Sequence, residues 1–161
     1  MTINMSLPLE VGIACRDLSL LQRFYQGVMG FQFVSKIVVG SDKAAQSSLS
    51  ADGYTVVRLQ TSYGERIKLL APNSPPFPAA PTEYVLDRPN AIYLTFIVAD
   101  INVVIADLLA ADIIFLTGSQ RVQVRPGVYL AFCRDPEGNI LELVQYDDID
   151  VYRPDLKKGS N

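Results

Sequence analysis

The chain has 161 residues, 49% of them apolar and 19% charged, enough for the core of one compact domain or two small interdependent modules, which excludes a disordered chain. Its 14 basic and 17 acidic residues give a formal net charge of -3 and no basic stripe, so nucleic acid and anionic membrane are excluded as partners. No apolar run approaches the ~20 residues of a bilayer span, and the N-terminal MTINMSLPLE has neither the basic nor the apolar region of a secretion signal, so a cytoplasmic protein is expected.

In chain order, a strand is predicted at about 8–15, followed by a helix from Asp17, a natural N-cap, to about Met29, with Gly30 just past its end. Leu18, Leu21, Phe24, Tyr25 and Val28 recur at helical spacing. Strands are expected at about 31–38, 54–61 and 65–71. Between the first two lies the small-residue stretch Gly40 to Gly53, which reads either as a short helix or as a mobile flap hinged at its glycines. Residues 73–90 are proline-rich and read as a linker. A second strand–helix pair follows, with a strand at about 92–98 and a helix from Asp100 to Ala111. Further strands are expected at about 113–117, 121–124, 128–134 and 139–146. Asp135-Pro136-Glu137-Gly138-Asn139 is a hairpin turn, with Gly138 where a left-handed residue is needed. The tail, 148–161, is polar and is expected to drape over the surface or fray. Cys15 and Cys133 sit in apolar strands and read as inert buried thiols.

The chain states one motif twice. Glu10-Val11-Gly12-Ile13-Ala14-Cys15 runs into Arg16-Asp17-Leu18, and 83 residues on Tyr93-Leu94-Thr95-Phe96-Ile97-Val98 runs into Ala99-Asp100-Ile101. Each half closes on a similar string, Gly64 to Leu69 (GERIKL) and Gly138 to Leu143 (GNILEL). Such a repeat implies two copies of one βαβββ unit, 8–72 and 91–147, in an α+β domain. Side chains alternate along a strand. The parity of Val11, Ile13, Ile67, Leu69, Leu94, Phe96, Leu141 and Leu143 is uniformly apolar and faces the helices. The opposite parity carries the odd residues: Glu10, Lys68, Tyr93 and Glu142.

With the strings VGIACRDLSLLQRFYQGVMGF, TFIVADINVVIADLLAADI and FCRDPEGNILELVQ, the chain resembles the vicinal oxygen chelate superfamily of glyoxalases, bleomycin-resistance proteins and extradiol dioxygenases over about residues 8 to 147. The resemblance implies a curled, cup-shaped mixed sheet with helices outside, and four inward strand residues that bind a divalent metal. Those positions match Glu10, Lys68, Tyr93 and Glu142. It also implies a homodimer, as family members often are.

The four residues depart from the family's ligand chemistry. Divalent metals take imidazole, thiolate or carboxylate ligands. The chain has no histidine, and the Lys68 ammonium offers no lone pair. No metal and no cofactor are therefore expected, with a divalent metal held by an unusual ligand set as the remaining option. Lys68 is expected to pair with Glu10 and Glu142 in a buried cluster. That cluster is either an inert remnant of a metal site or a catalytic centre. In a catalytic centre Lys68 stabilises an oxyanion, a glutamate acts as base and Tyr93 donates a hydrogen bond. On the same parity, Phe132, Leu130, Ile97 and Ile140 are expected to form apolar walls. Arg58 is either an anchor for a carboxylate or enolate, or a rim residue in solvent. The function expected first is a metal-independent isomerase, epimerase or lyase acting on a small organic substrate with a carbonyl or carboxylate. A non-catalytic, antibiotic-like binding and resistance protein is the alternative, and a metal-dependent lyase or dioxygenase the next.

Overall fold

The computed structural model describes residues 5–156 apart from 79, 81 and 88, and the chain divides into two units, Met1–Pro81 and Thr82–Asn161. In the first unit, β1 (Glu10–Ala14) leads into α1 (Leu18–Arg23), which widens into a π-helical turn, Phe24–Val28. Then come β2 (Gln32–Val39), α2 (Ser41–Gln46), β3 (Tyr54–Gln60) and β4 (Arg66–Pro72). The sheet order is β1-β4-β3-β2, with β1 parallel to β4 and the other pairs antiparallel. The Asp17 side chain accepts the Leu20 N–H at 2.9 Å and so starts α1. From α1 and its π turn, Leu21, Phe24 and Tyr25 are buried, as are Ile13, Ile67, Leu69, Val57 and Leu59 of the strands. Each fully buried side chain of this kind contributes about 1.5–3 kcal/mol, so this face of the sheet is unavailable for chemistry.

The second unit repeats the plan with β5 (Tyr93–Ile97), α3 (Ile101–Ala110), β6 (Val122–Arg125), β7 (Val128–Arg134), β8 (Ile140–Tyr146) and α4 (Ile149–Tyr152). Its order is β5-β8-β7-β6, with β5 parallel to β8. Asp100 accepts the N–H groups of Asn102 and Val103 and starts α3. Ile101, Ile105 and Leu108 of α3 are buried, and so are Ala131, Cys133, Leu141 and Leu143. Both units are therefore βαβββ modules of an α+β fold. Among the described residues no helix is long and apolar enough to cross a membrane.

One segment differs from its sequence reading, and two take one of the alternatives it left open. Residues 113–117 form no strand but a single bridge, Phe115 to Cys133, with Ile114 76% exposed. Asp112 at φ 60° and Gly118 at φ 80° turn the chain on either side and leave no room for a longer ladder. The stretch from 40 to 53 forms α2 and is pinned at its end rather than hinged there. Asn73 and Ser74 bond the Asp52 carbonyl and carboxylate, the Asn73 N–H donates to the Gly53 carbonyl, and a Cβ at Gly53 (φ 94°) would stand 2.7 Å from the Val39 carbonyl oxygen. The tail is not frayed up to residue 156: Asp148 caps α4 through the Val151 N–H. Residues 157–161 lie outside the described residues.

Asp135 is the buried charged residue of the described chain, 4% exposed. Its carboxylate accepts from the Glu137 and Asn139 N–H groups and from Asn139 Nδ2, all within 2.9 Å, and fixes the turn in which Gly138 takes φ 92°. Asp135→Ala leaves three donors unmatched and is expected to lower stability by about 3 kcal/mol. Urea unfolding checks this, and a loss under 1 kcal/mol (on the order of a single neutral hydrogen bond) contradicts it.

Candidate functional site

With one face of each sheet closed by a helix, the ligand-accessible chemistry lies on the other. Strand register groups its side chains into rungs. In the first unit one rung is Glu10–Arg66–Gln60 and the next is Gly12–Lys68–Arg58–Ser35. Lys68 Nζ lies 3.8 Å from Glu10 Oε2, and Arg66 Nη1 lies 3.8 Å from Glu10 Oε1, so one carboxylate is shared by two cations. Arg66 Nε also donates to Gln60 Oε1 at 2.6 Å. Arg58 faces Lys68 directly across β3 and β4, and its Nη1 reaches the Ser35 hydroxyl at 3.5 Å. Arg58 thus sits half-buried within the rung.

The Lys68–Glu10 pair is not buried as expected: the two side chains are 33% and 31% exposed. Water screens such a pair, and ion pairs in this setting contribute about 0–1 kcal/mol. Its importance is therefore in placing charge, not in holding the fold.

In the second unit the corresponding rungs are Tyr93–Ile140–Arg134, then Thr95–Glu142–Phe132, then Ile97–Val144–Leu130–Val122. Glu142 occupies the register position that Lys68 occupies in the first unit, Phe132 that of Arg58 and Tyr93 that of Glu10. Thr95 Oγ1 donates to Glu142 Oε2 at 2.6 Å. The Tyr93 and Phe132 rings meet edge to face, with centroids 5.4 Å apart. Beside Glu142 opens a cavity of about 580 Å³, with Ile97, Leu130, Val144 and Val128 as apolar walls and Arg125 at its margin. Tyr146 and Tyr152 also line it, stacked at 3.8 Å and 13°.

Sequence reasoning missed Arg66, Thr95, Tyr146, Tyr152 and Arg125. Arg66 and Thr95 share the parity of Lys68 and Tyr93, which was signal enough to find them. Tyr152 lies beyond the repeat, where no parity applies.

A family model described as the Glyoxalase/Bleomycin resistance protein/Dioxygenase superfamily matches residues 8–143. No curated protein matches the chain. Among solved structures, a glyoxalase family protein from Bacillus cereus aligns with a TM-score of 0.74 at 19% identity, covering 89% of this chain and 96% of its own. A glyoxylase/bleomycin resistance protein/dioxygenase domain from Frankia sp. EAN1pec aligns at 0.66 and 18% identity, covering 89% and 93%. A genomically encoded fosfomycin resistance protein from Listeria monocytogenes, complexed with Mn(II) and sulfate, aligns at 0.56 and 10% identity, covering 88% and 93%.

At two of the positions that the sequence resemblance matches to the family's metal ligands, this chain places a lysine in contact with a glutamate. An ammonium repels a divalent cation, and Glu10 is occupied by two protein cations. These residues do not fit a metal of that kind.

The Tyr146 hydroxyl is pushed from 10.0 up to about 12, first by burial and then by its hydrogen bond with Tyr152. Its contribution to stability is fully present below pH 10.0, the unfolded value, and is lost as pH rises toward about 12. Tyr152→Phe removes the hydrogen bond and leaves much of the burial. Ultraviolet titration is expected to show Tyr146 ionising lower in this variant yet still above 10.0. An unchanged titration contradicts the contact.

Proposed function

Because this chain belongs to the Glyoxalase/Bleomycin resistance protein/Dioxygenase superfamily, we propose that it is a metal-independent isomerase, epimerase or lyase that moves a proton next to a carbonyl group of a small organic substrate. What carries this reading is the ion pair between Lys68 Nζ and Glu10 Oε2, 3.8 Å apart, at positions that the sequence resemblance matches to the family's metal ligands. A fixed ammonium there can stabilise a developing oxyanion as a Lewis acid would. Proton abstraction next to a carbonyl builds negative charge on the carbonyl oxygen, so it needs both such a cation and a carboxylate base.

The second unit holds a carboxylate of its own that can serve as a base, Glu142. Glu10 is shared between Lys68 and Arg66, so each of its oxygens already faces a protein cation at 3.8 Å. Within its own unit, among the described residues, Glu142 makes no ion pair and takes one hydrogen bond, at Oε2 from Thr95. Its Oε1 is left for the substrate, and the adjoining cavity has apolar walls that suit a small organic molecule. Tyr93, 39% exposed with its ring held by Phe132, serves as hydrogen-bond donor or acid. Within the second unit, Phe132, Leu130, Ile97 and Ile140 contact the substrate in this proposal.

That apolar cavity also favours a second reading, a binding and resistance protein without catalysis. Lys68→Met and Phe132→Ala separate the two. For the enzyme, Lys68→Met lowers turnover by about 10²–10³-fold while Phe132→Ala mainly weakens binding. For the binder, ligand affinity falls most in Phe132→Ala and hardly moves in Lys68→Met. Full turnover by Lys68→Met ends the catalytic reading.

A further inference from the structure

The open face of the first unit carries more positive charge than its own carboxylate balances. Arg58, Arg66 and Lys68 share that face, and Glu10 is the acidic member of their rungs. Arg58 and Lys68 are also directly opposed across β3 and β4. Like charges in that arrangement repel and destabilise the strand pair. Glu10 offsets part of this for Lys68, but it is shared with Arg66. Among the described residues of its unit, Arg58 has only the neutral Ser35 hydroxyl, at 3.5 Å. A chain with a formal net charge of -3 thus concentrates cations on one half-exposed patch.

The patch also has room. Gly12 stands next to Lys68 in its rung, so no side chain from β1 covers the ammonium there. A Cβ at that position would stand 3.1 Å from Leu70 Cδ1, so the Leu70 side chain leans over Gly12 on this face. The Ser35 hydroxyl stands at the other end of the same rung and can donate as well. A planar guanidinium, an ammonium and a hydroxyl in one row form a donor set for the oxygens of an anionic group, with the guanidinium able to engage two of them.

We propose that Arg58 and Lys68, with Ser35 beside them, form a seat for the carboxylate or phosphate group of an organic anion. The seat makes the substrate of the proposed reaction an organic acid or a phosphate ester. This rests on the reading that the same face binds substrate, and deepens it by naming the group that docks there. The anion supplies the charge that the cross-strand cations lack, and Glu10 competes with it for Lys68. Attraction of this kind is long-ranged and screened by salt.

Calorimetric titration with benzoate in one arm and phenyl phosphate in the other tests the seat. At least one of the two is expected to bind the wild-type chain, more weakly as sodium chloride rises, and the tighter arm identifies the group. Arg58→Gln is expected to weaken binding about tenfold, the loss of one charge-assisted contact. Glu10→Gln removes the competing carboxylate and is expected to tighten it. Lys36→Gln lies on β2 opposite Val57, on the helix-side parity, and is expected to leave affinity unchanged. Binding of neither probe, equal affinity in Arg58→Gln, or weaker binding in Glu10→Gln overturns the proposal. The two readings fail separately. If neither probe binds but turnover still depends on Lys68, the seat is wrong and the proton-transfer reading stands. If a probe binds with the expected pattern while Lys68→Met keeps full turnover, the seat stands and that reading falls.

Discussion

Alternation of side chains across a sheet with one sealed face is the constraint on which this protein depends. In each unit a helix buries one parity of strand residues: Ile13, Ile67, Leu69, Val57 and Leu59 in the first, and Leu141, Leu143, Ala131 and Cys133 in the second. A one-residue slip of any strand would move its apolar set out of the core. Register is therefore fixed by burial, and register in turn decides what the other face carries. Glu10, Lys68 and Arg58 share a face because Val11, Ile67 and Leu59 cannot. The same holds for Thr95, Glu142 and Phe132 opposite Phe96, Leu143 and Ala131.

Much of this was legible in the sequence because the physical rule has period two and the motif occurs twice. The N-caps Asp17 and Asp100, the Asp135 turn and the face assignment of each candidate residue follow from local chemistry, and the structure has them. The units' equivalent registers also pair Arg58 with Lys68 and Phe132 with Glu142, as the repeat implies. Less legible were features set by partners rather than by period. Parity marks Arg66 as readily as Lys68, but carries no sign that both reach the same carboxylate. The apolar run Ile113 to Leu116 imitates a strand, although positive φ at Asp112 and Gly118 allows only a bridge. The Tyr152 ring stacks on Tyr146 from a capped turn of helix that no repeat foretells. The degree of burial was misjudged too: a charge at a ligand position need not be dry, and a pair about one-third exposed directs ligands more than it stabilises the fold.

The chemistry of the open faces is uneven by design of the register. One unit places two cations on one carboxylate with a third cation in the next rung, while the other places a carboxylate beside a threonine, two aromatic rings and a cavity with apolar walls. In the proposed reading, positive charge supplied by the protein takes the place that the sequence resemblance assigns to a metal ligand. Such a charge requires no loading and does not depend on metal supply. It is weaker per contact than a divalent ion, and it excludes one by repulsion.

The central claim, that Lys68 stands in for a metal's charge, meets its most direct test in elemental analysis of the chain purified without an affinity tag. The account predicts zinc, nickel, iron and manganese far below one equivalent per chain. Near-stoichiometric content of any of these, lost on Glu142→Ala, would contradict it.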